Sequence, residues 1–221
     1  MKNYILFITV SLICLSSLGV NAQNHQIGLI GGINLANLDE KDEEYDIRTV
    51  FGVGGVFELG VGEKFAICFE PMYLQKGAKS EEVEDFIKVT IEGKFAYLEI
   101  PVFFKVPLGT SSTRPYIMAG PTIGILLSSN IGMSMMGIDI EVDTKDLTKS
   151  IDYGLGVGGG VSFPIGKNTL FIEARYTLGI ADIAKEGEME IDGEKETVPD
   201  SEVKTRGIQI MAGMSIPIGK K

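Results

Sequence analysis

The residues best placed to do chemistry in this sequence are ionisable side chains that recur at every second position of otherwise apolar runs. In residues 65–76, Cys68, Glu70, Met72 and Lys76 alternate with Phe65, Ile67, Phe69, Pro71 and Tyr73. In residues 95–107, Glu99 and Lys105 alternate with Leu98, Ile100, Val102 and Phe104. Glu173, Arg175 and Thr177 oppose Leu170, Ile172, Ala174, Tyr176 and Leu178. Successive side chains of a strand point to opposite faces, so each run presents one greasy face and one ionisable face. If the strands close on themselves, Glu58, Glu70, Glu99 and Glu173 meet Lys76, Lys105, Arg175 and Arg206 in the interior. Buried charges without partners are costly, so this set is expected to form a structural network of ion pairs and water that plugs the lumen. The other chemistry such a row supports is a proton or ion pathway, for which a narrow barrel is poorly suited.

Other chemistries find little support. Of 221 residues only His25 is a histidine, and it lies near the front of the chain, where no ordered site is expected. General-base catalysis beside a Ser or Asp therefore lacks its usual partner, and no enzyme activity is expected. Cys68 sits in an apolar run and reads as a packed thiol. The glycine run at 154–160 has neither the following helix nor the acidic partner of a phosphate-binding loop, so no cofactor site is assigned. The cluster Asp39, Glu40, Asp42, Glu43, Glu44 and Asp46 could collect a hard cation such as calcium with the acids of residues 182–202. It lacks the spacing of a defined calcium loop, which favours a solvated acidic surface and assigns no metal site. A net charge of −10 speaks against nucleic acid as a partner.

The elements that must position these residues are β-strands. Eight runs have period-two and β-branched or aromatic character: 26–35, 49–59, 65–76, 95–107, 114–129, 153–165, 169–181 and 204–218. Several reach the roughly 9–11 residues that cross a bilayer at a tilt. The connections alternate short and long. Residues 60–64, 108–113 and 166–168 are short; 36–48, 77–93, 130–150 and 182–203 are long. The long ones hold 24 of the 30 acidic residues against eight basic ones. This pattern predicts an all-β, eight-stranded, antiparallel up-and-down transmembrane barrel with short periplasmic turns and long acidic extracellular loops. Glycine, 28 residues, is nearly twice its usual share of about 7%. Inward glycines would make room for long charged side chains. Pro71, Pro101 and Pro121 fall inside strands and are expected to mark bulges. Residues 186–196 are expected to form a hairpin around Asp192-Gly193.

Residues 1–22 read as a cleaved signal peptide, with Lys2, an apolar stretch at 4–15 and Val20-Asn21-Ala22 before the cut. Residues 23–221 then form the barrel domain. Cys14 leaves with the signal, so Cys68 has no disulfide partner in the chain.

Five segments in order carry a family resemblance: Ile27-Gly28-Leu29-Ile30-Gly31-Gly32-Ile33-Asn34-Leu35, Tyr97-Leu98-Glu99-Ile100-Pro101, Arg114-Pro115-Tyr116-Ile117-Met118-Ala119-Gly120-Pro121, Asp152-Tyr153-Gly154-Leu155-Gly156-Val157-Gly158-Gly159-Gly160 and Glu173-Ala174-Arg175-Tyr176-Thr177-Leu178-Gly179. With these the chain resembles the PorT-like outer-membrane β-barrel family of Bacteroidota. The resemblance implies an integral barrel in the cell outer membrane, with the Glu-Ile-Pro strand and the Gly-Pro step as family features. The expected function is non-enzymatic: displaying extracellular loops for binding, or supporting the envelope. Its partners would be outer-membrane lipid and a protein or cation at the acidic loops. The alternative is a soluble exported barrel, lipocalin-like, that binds an apolar ligand; it requires the apolar parity to point inward.

Overall fold

The computed structural model describes residues 25–41, 43–61, 64–84, 87–109, 112–185, 187–191, 194–198 and 202–218. The proposed signal segment, residues 1–22, and the Asp192-Gly193 step lie outside them. The strands are β1 (His25–Glu40), β2 (Arg48–Val61), β3 (Phe65–Phe69), β4 (Met72–Glu84), β5 (Ile87–Pro107), β6 (Arg114–Met135), β7 (Ile138–Asp143), β8 (Ile151–Ile165), β9 (Asn168–Gly179), β10 (Gly187–Ile191), β11 (Glu194–Val198) and β12 (Val203–Ile218).

Antiparallel pairing runs from β1 through β2, the β3–β4 pair, β5, β6, β8 and β9 to β12, and β12 returns to β1 from His25↔Ile218 to Glu40↔Val203. The sheet is thus closed, with eight staves, β3 and β4 forming one of them. Closure leaves no edge within the ring, which is what lets strands cross a bilayer without unpaired backbone. His25 belongs to this ladder opposite Ile218, so it is part of the ordered wall instead of the loose tip expected from its position.

The prolines act differently from the expected bulges. Pro71 sits in the break between β3 and β4, yet the pairing to β5 resumes in register, Phe69↔Val102 below it and Met72↔Glu99 above. A proline lacks one N–H but keeps its carbonyl, so it removes a bond without requiring an extra residue. The carbonyls remain in use: Pro101 O accepts from Glu70 N (3.2 Å) and Pro71 O from Gly55 N (3.0 Å). The register shift between β5 and β6 lies higher, where Tyr97 faces Leu126 and Ala96 faces Ser128, leaving Leu127 as the additional residue.

Two of the long connections are largely strand. β4 and β5 pair continuously to Glu84↔Ile87, and β6 runs on to Met135 before a hairpin turn into β7. That turn is Met136-Gly137, with φ of 51° and 82°. Both angles are positive, as a two-residue hairpin whose twist matches its strands requires. Polarity and acid content mark residues 77–93 and 130–150 as connections, but their alternation is equally strand-like and cross-strand pairing decides the outcome. β10 and β11 form the hairpin expected in residues 186–196.

Candidate functional site

The lumen is built from the polar parity of each stave. Leu29, Val53, Leu155, Ile172 and Ile210 are exposed on the outside, while Glu70, Glu99, Asp152, Glu173 and Arg175 are buried within. This is the reverse of what a soluble carrier of apolar ligands needs. Small residues opposite the large ones make the interior fit. A side chain at Gly160 would stand 2.5 Å from the Tyr116 hydroxyl, and one at Gly124 would stand 2.8 Å from Glu99 Oε2.

Arg175 on β9 is the central group, with its side chain fully buried. It pairs with Glu70 at the break between β3 and β4, and with Glu173 Oε1 at 3.1 Å. Its Nε donates to Gln209 Oε1 (2.6 Å), and its guanidinium lies 5.2 Å from the centre of the Phe103 ring. The staves carrying Arg175 and Glu70 are four apart in a ring of eight, so this ion pair spans the barrel's diameter. Beside it the Tyr116 hydroxyl donates to Glu173 Oε2 (2.9 Å). Lys105 reaches Glu58 Oε2 (2.7 Å) and sits 4.1 Å from the centre of the Tyr116 ring. The Cys68 thiol donates weakly to the same Glu58 oxygen (3.6 Å), which occupies it as a packed group.

A second cluster lies nearer the long-connection end. Lys76 Nζ is 2.9 Å from both Glu99 Oε2 and Asp152 Oδ2, and Thr205 Oγ1 donates to Asp152 Oδ2 at 2.8 Å. Lys76 also sits 5.0 Å from the centre of the buried Tyr97 ring. Five carboxylates therefore face three cations, and hydroxyl and thiol donors supply part of the coordination that the cations cannot, while Asp152 Oδ1 and the Tyr97 hydroxyl stay buried without a hydrogen-bond partner among the described residues.

The structure brings Glu58, Glu70, Lys76, Glu99, Lys105, Glu173 and Arg175 into these two clusters. Arg206 lies elsewhere. It has the outward parity of Ile208 and Ile210, and it pairs at the barrel's exterior with Asp39 (3.2 Å). Its place in the sequence next to charged neighbours concealed that parity, which the apolar alternation of β12 fixes. Asp152, Tyr97, Tyr116 and Gln209 complete the network without having been singled out. Asp152 was legible, because it continues the parity of Gly154, Gly156 and Gly158; the two tyrosines carry no such signal, since aromatic rings suit either face.

The acidic connection after β1 does not converge on one point. Asp39 pairs with Arg206, Glu40 accepts from the Tyr45 hydroxyl (2.6 Å), and Asp46 exchanges backbone bonds with Lys79. Asp42 is outside the described residues, and among those described no three acids gather as a metal-holding group. Burial, together with the hydrogen bond to Glu40 and its charge, pushes the Tyr45 phenol up, so it stays a neutral donor.

Above the clusters the two faces exchange character. On β5, Phe95 and Ile91 share the parity of Tyr97 and Glu99, whereas Lys94, Glu92 and Thr90 share that of Leu98. The additional residue at Leu127 brings β6 into the same scheme, setting Ile131 and Met133 on the inner side. Leu38, Ala78 and Ile183 pack there with Tyr45, Phe95 and Val203 in an apolar cluster. The outer side carries Thr90, Glu92, Lys94, Ser134, Asp139 and Glu141 around a concavity of about 590 Å³.

Comparison with known proteins agrees with this architecture. A family model described as "Outer membrane protein beta-barrel domain" matches residues 21–185. No curated protein matches the sequence. Among solved structures, Neisserial surface protein A is 14% identical, with a TM-score of 0.50 over 88% of this chain and 97% of that one. OprG from Pseudomonas aeruginosa is 10% identical, with a TM-score of 0.46 over 89% and 98%. Ail, the attachment invasion locus protein of Yersinia pestis, is 14% identical, with a TM-score of 0.44 over 87% and 99%. At these identities the likeness to the Neisserial protein concerns the fold alone.

Proposed function

Since the chain belongs to the family of outer membrane protein beta-barrel domains, we propose that it is a sealed, non-enzymatic pedestal that displays a two-faced acidic sheet outside the cell. The single observation that carries this reading is the Arg175–Glu70 pair across the barrel's diameter, with Glu173, Tyr116, Gln209 and Phe103 packed around it. A lumen bridged in this way has no room for a permeant, so the work falls to the parts that project beyond the wall. On this reading residues 1–22 serve as the export signal, and the five segments that resemble the PorT-like barrels of Bacteroidota support a place for the chain among them. The end with long connections faces outward, as long loops do in barrels of this kind.

Two measurements test this. In planar bilayers the purified chain is expected to give no stepwise conductance; regular openings of the unmodified protein would refute the seal. A Met136→Cys variant on intact cells is expected to react with a membrane-impermeant maleimide, while the buried Cys68 of the parent stays unreacted. Labelling only after the envelope is broken would refute the outward orientation.

A further inference from the structure

The hairpin β6–β7 carries an edge that the barrel does not use. β8 pairs with the lower part of β6, ending at Ile125↔Ile151, and β7 takes the same side of β6 from Asn130↔Asp143 to Met135↔Ile138. β6 is the strand partner of β7, and no strand follows on its far side among the described residues. All six β7 residues are exposed. An edge of this kind presents unpaired N–H and C=O groups to any chain that can lie alongside it.

Its two faces state what that chain must be. Ile138, Ile140 and Val142 continue the apolar side of the sheet opposite Met135, Met133 and Ile131. Asp139, Glu141 and Asp143 line the other side. Each carboxylate has one partner on its own side: Ser134 Oγ donates to Asp139 (2.6 Å), Lys94 Nζ to Glu141 (3.2 Å) and the Lys145 backbone N–H to Asp143 (2.8 Å). A carboxylate accepts about four hydrogen bonds, so all three retain capacity toward the open edge.

We propose that β7 is a docking edge for an extended segment of another protein that alternates apolar residues with lysine or arginine, added as a further strand of the sheet. Main-chain bonds would hold the segment, and the alternation would select it. A second copy of β7 is the wrong occupant. It would set acid against acid across the new ladder, and like charges directly opposite destabilise a pair. The chain's own hairpin is wrong for the same reason, because it bears Glu188, Glu190, Glu194 and Glu196 at alternate positions. Basic residues in the incoming strand instead meet Asp139, Glu141 and Asp143 directly.

The cellular role of this edge rests on the pedestal reading, but binding does not. The test uses the full mature chain in zwitterionic detergent and three labelled peptides followed by fluorescence anisotropy. One alternates lysine with valine, one has the same composition in two blocks, and one alternates glutamate with valine. The alternating lysine peptide is expected to bind at least tenfold more tightly than either of the others. The triple variant Asp139→Lys, Glu141→Lys, Asp143→Lys is expected to reverse the preference toward the glutamate peptide. Amide exchange of residues 138–143 should slow on adding the lysine peptide, a readout that also serves if the triple variant fails to fold. Equal binding of the blocked peptide, an unchanged preference in a folded triple variant, unchanged exchange, or a wild-type dimer joined through β7 would each overturn the proposal. If the peptide binds but the Met136→Cys variant cannot be labelled from outside, the orientation fails and the docking edge stands; the opposite pair of results fails the edge alone.

Discussion

The staves within the ring and the sheet above it are built from the same strands under opposite rules. On β5, Glu99 and Lys105 point into the lumen and Leu98 and Phe104 point out; a few residues higher on the ladder, Phe95 and Ile91 point in and Lys94 and Glu92 point out. The change follows the solvent outside. Lipid rewards apolar groups on the exterior and forces polar ones inward, whereas water does the reverse. β5 makes the exchange by composition alone, since its parity is continuous, while β6 uses the additional residue at Leu127. The level of the exchange near Ala96 therefore marks where the membrane's apolar layer ends.

The largest effects are expected where the lumen is broken. Arg175→Ala leaves Glu70 and Glu173 buried without their cation, and breaking such a pair costs about 3–5 kcal/mol. A chemical-denaturant titration of folding into lipid vesicles should show this, and Arg206→Ala in the same assay should change stability by no more than about 1 kcal/mol, as exposed pairs do. Equal losses at the two arginines would erase the distinction between lumen and exterior.

The lipid face comes next. Leu155→Arg, in the outward parity of β8, is expected to cost about 2–4 kcal/mol, the value for a cation near the bilayer midplane. Ile140→Arg on β7 should cost far less in the same titration, because that residue faces water. Overfilling the interior with Gly160→Leu, against the Tyr116 hydroxyl, is expected to cost about 1–3 kcal/mol and to reduce the fraction of heat-modifiable, folded protein on gels.

The smallest effect concerns the connection after β9. Asp182 pairs with Lys149, and although burial pushes its carboxyl up, hydrogen bonds from Lys149 and from the Val203 and Ala184 backbone N–H groups outweigh that and hold it below its usual range. A lowered acid stabilises the folded form above its ordinary value, about 3.9, and loses that contribution as pH falls through the lowered one. Amide exchange at Ala184 and Val203 should therefore rise on acidification below about pH 4, an effect expected to disappear in Asp182→Asn.

The eight staves, their closure and the inward parity of seven charged residues were legible because period-two alternation in the membrane is strict. One feature was not, and two were legible but passed over. Asp152 continues the parity of Gly154, Gly156 and Gly158 but lies just before the boundary that composition drew at Tyr153, whereas β8 begins at Ile151. The continuation of β4–β5 and β6–β7 past the wall is hidden because acids at alternate positions suit a solvated strand and a loop equally. Arg206 shares the outward parity of Ile208 and Ile210, which its charged neighbours concealed, and the pairing of β12 with β1 and β9 agrees with that parity. Interactions distant in sequence, such as Arg175 with Glu70, fix what local pattern leaves open.

The exchange of faces can be measured directly, because the chain contains no tryptophan. Single Leu155→Trp and Ile140→Trp variants, folded into vesicles of brominated lipid, would report which side each position faces. Strong quenching by the brominated acyl chains is expected at 155 and little at 140, with aqueous acrylamide giving the opposite order. Comparable quenching by lipid at both positions, or none at 155, would contradict the exchange of faces.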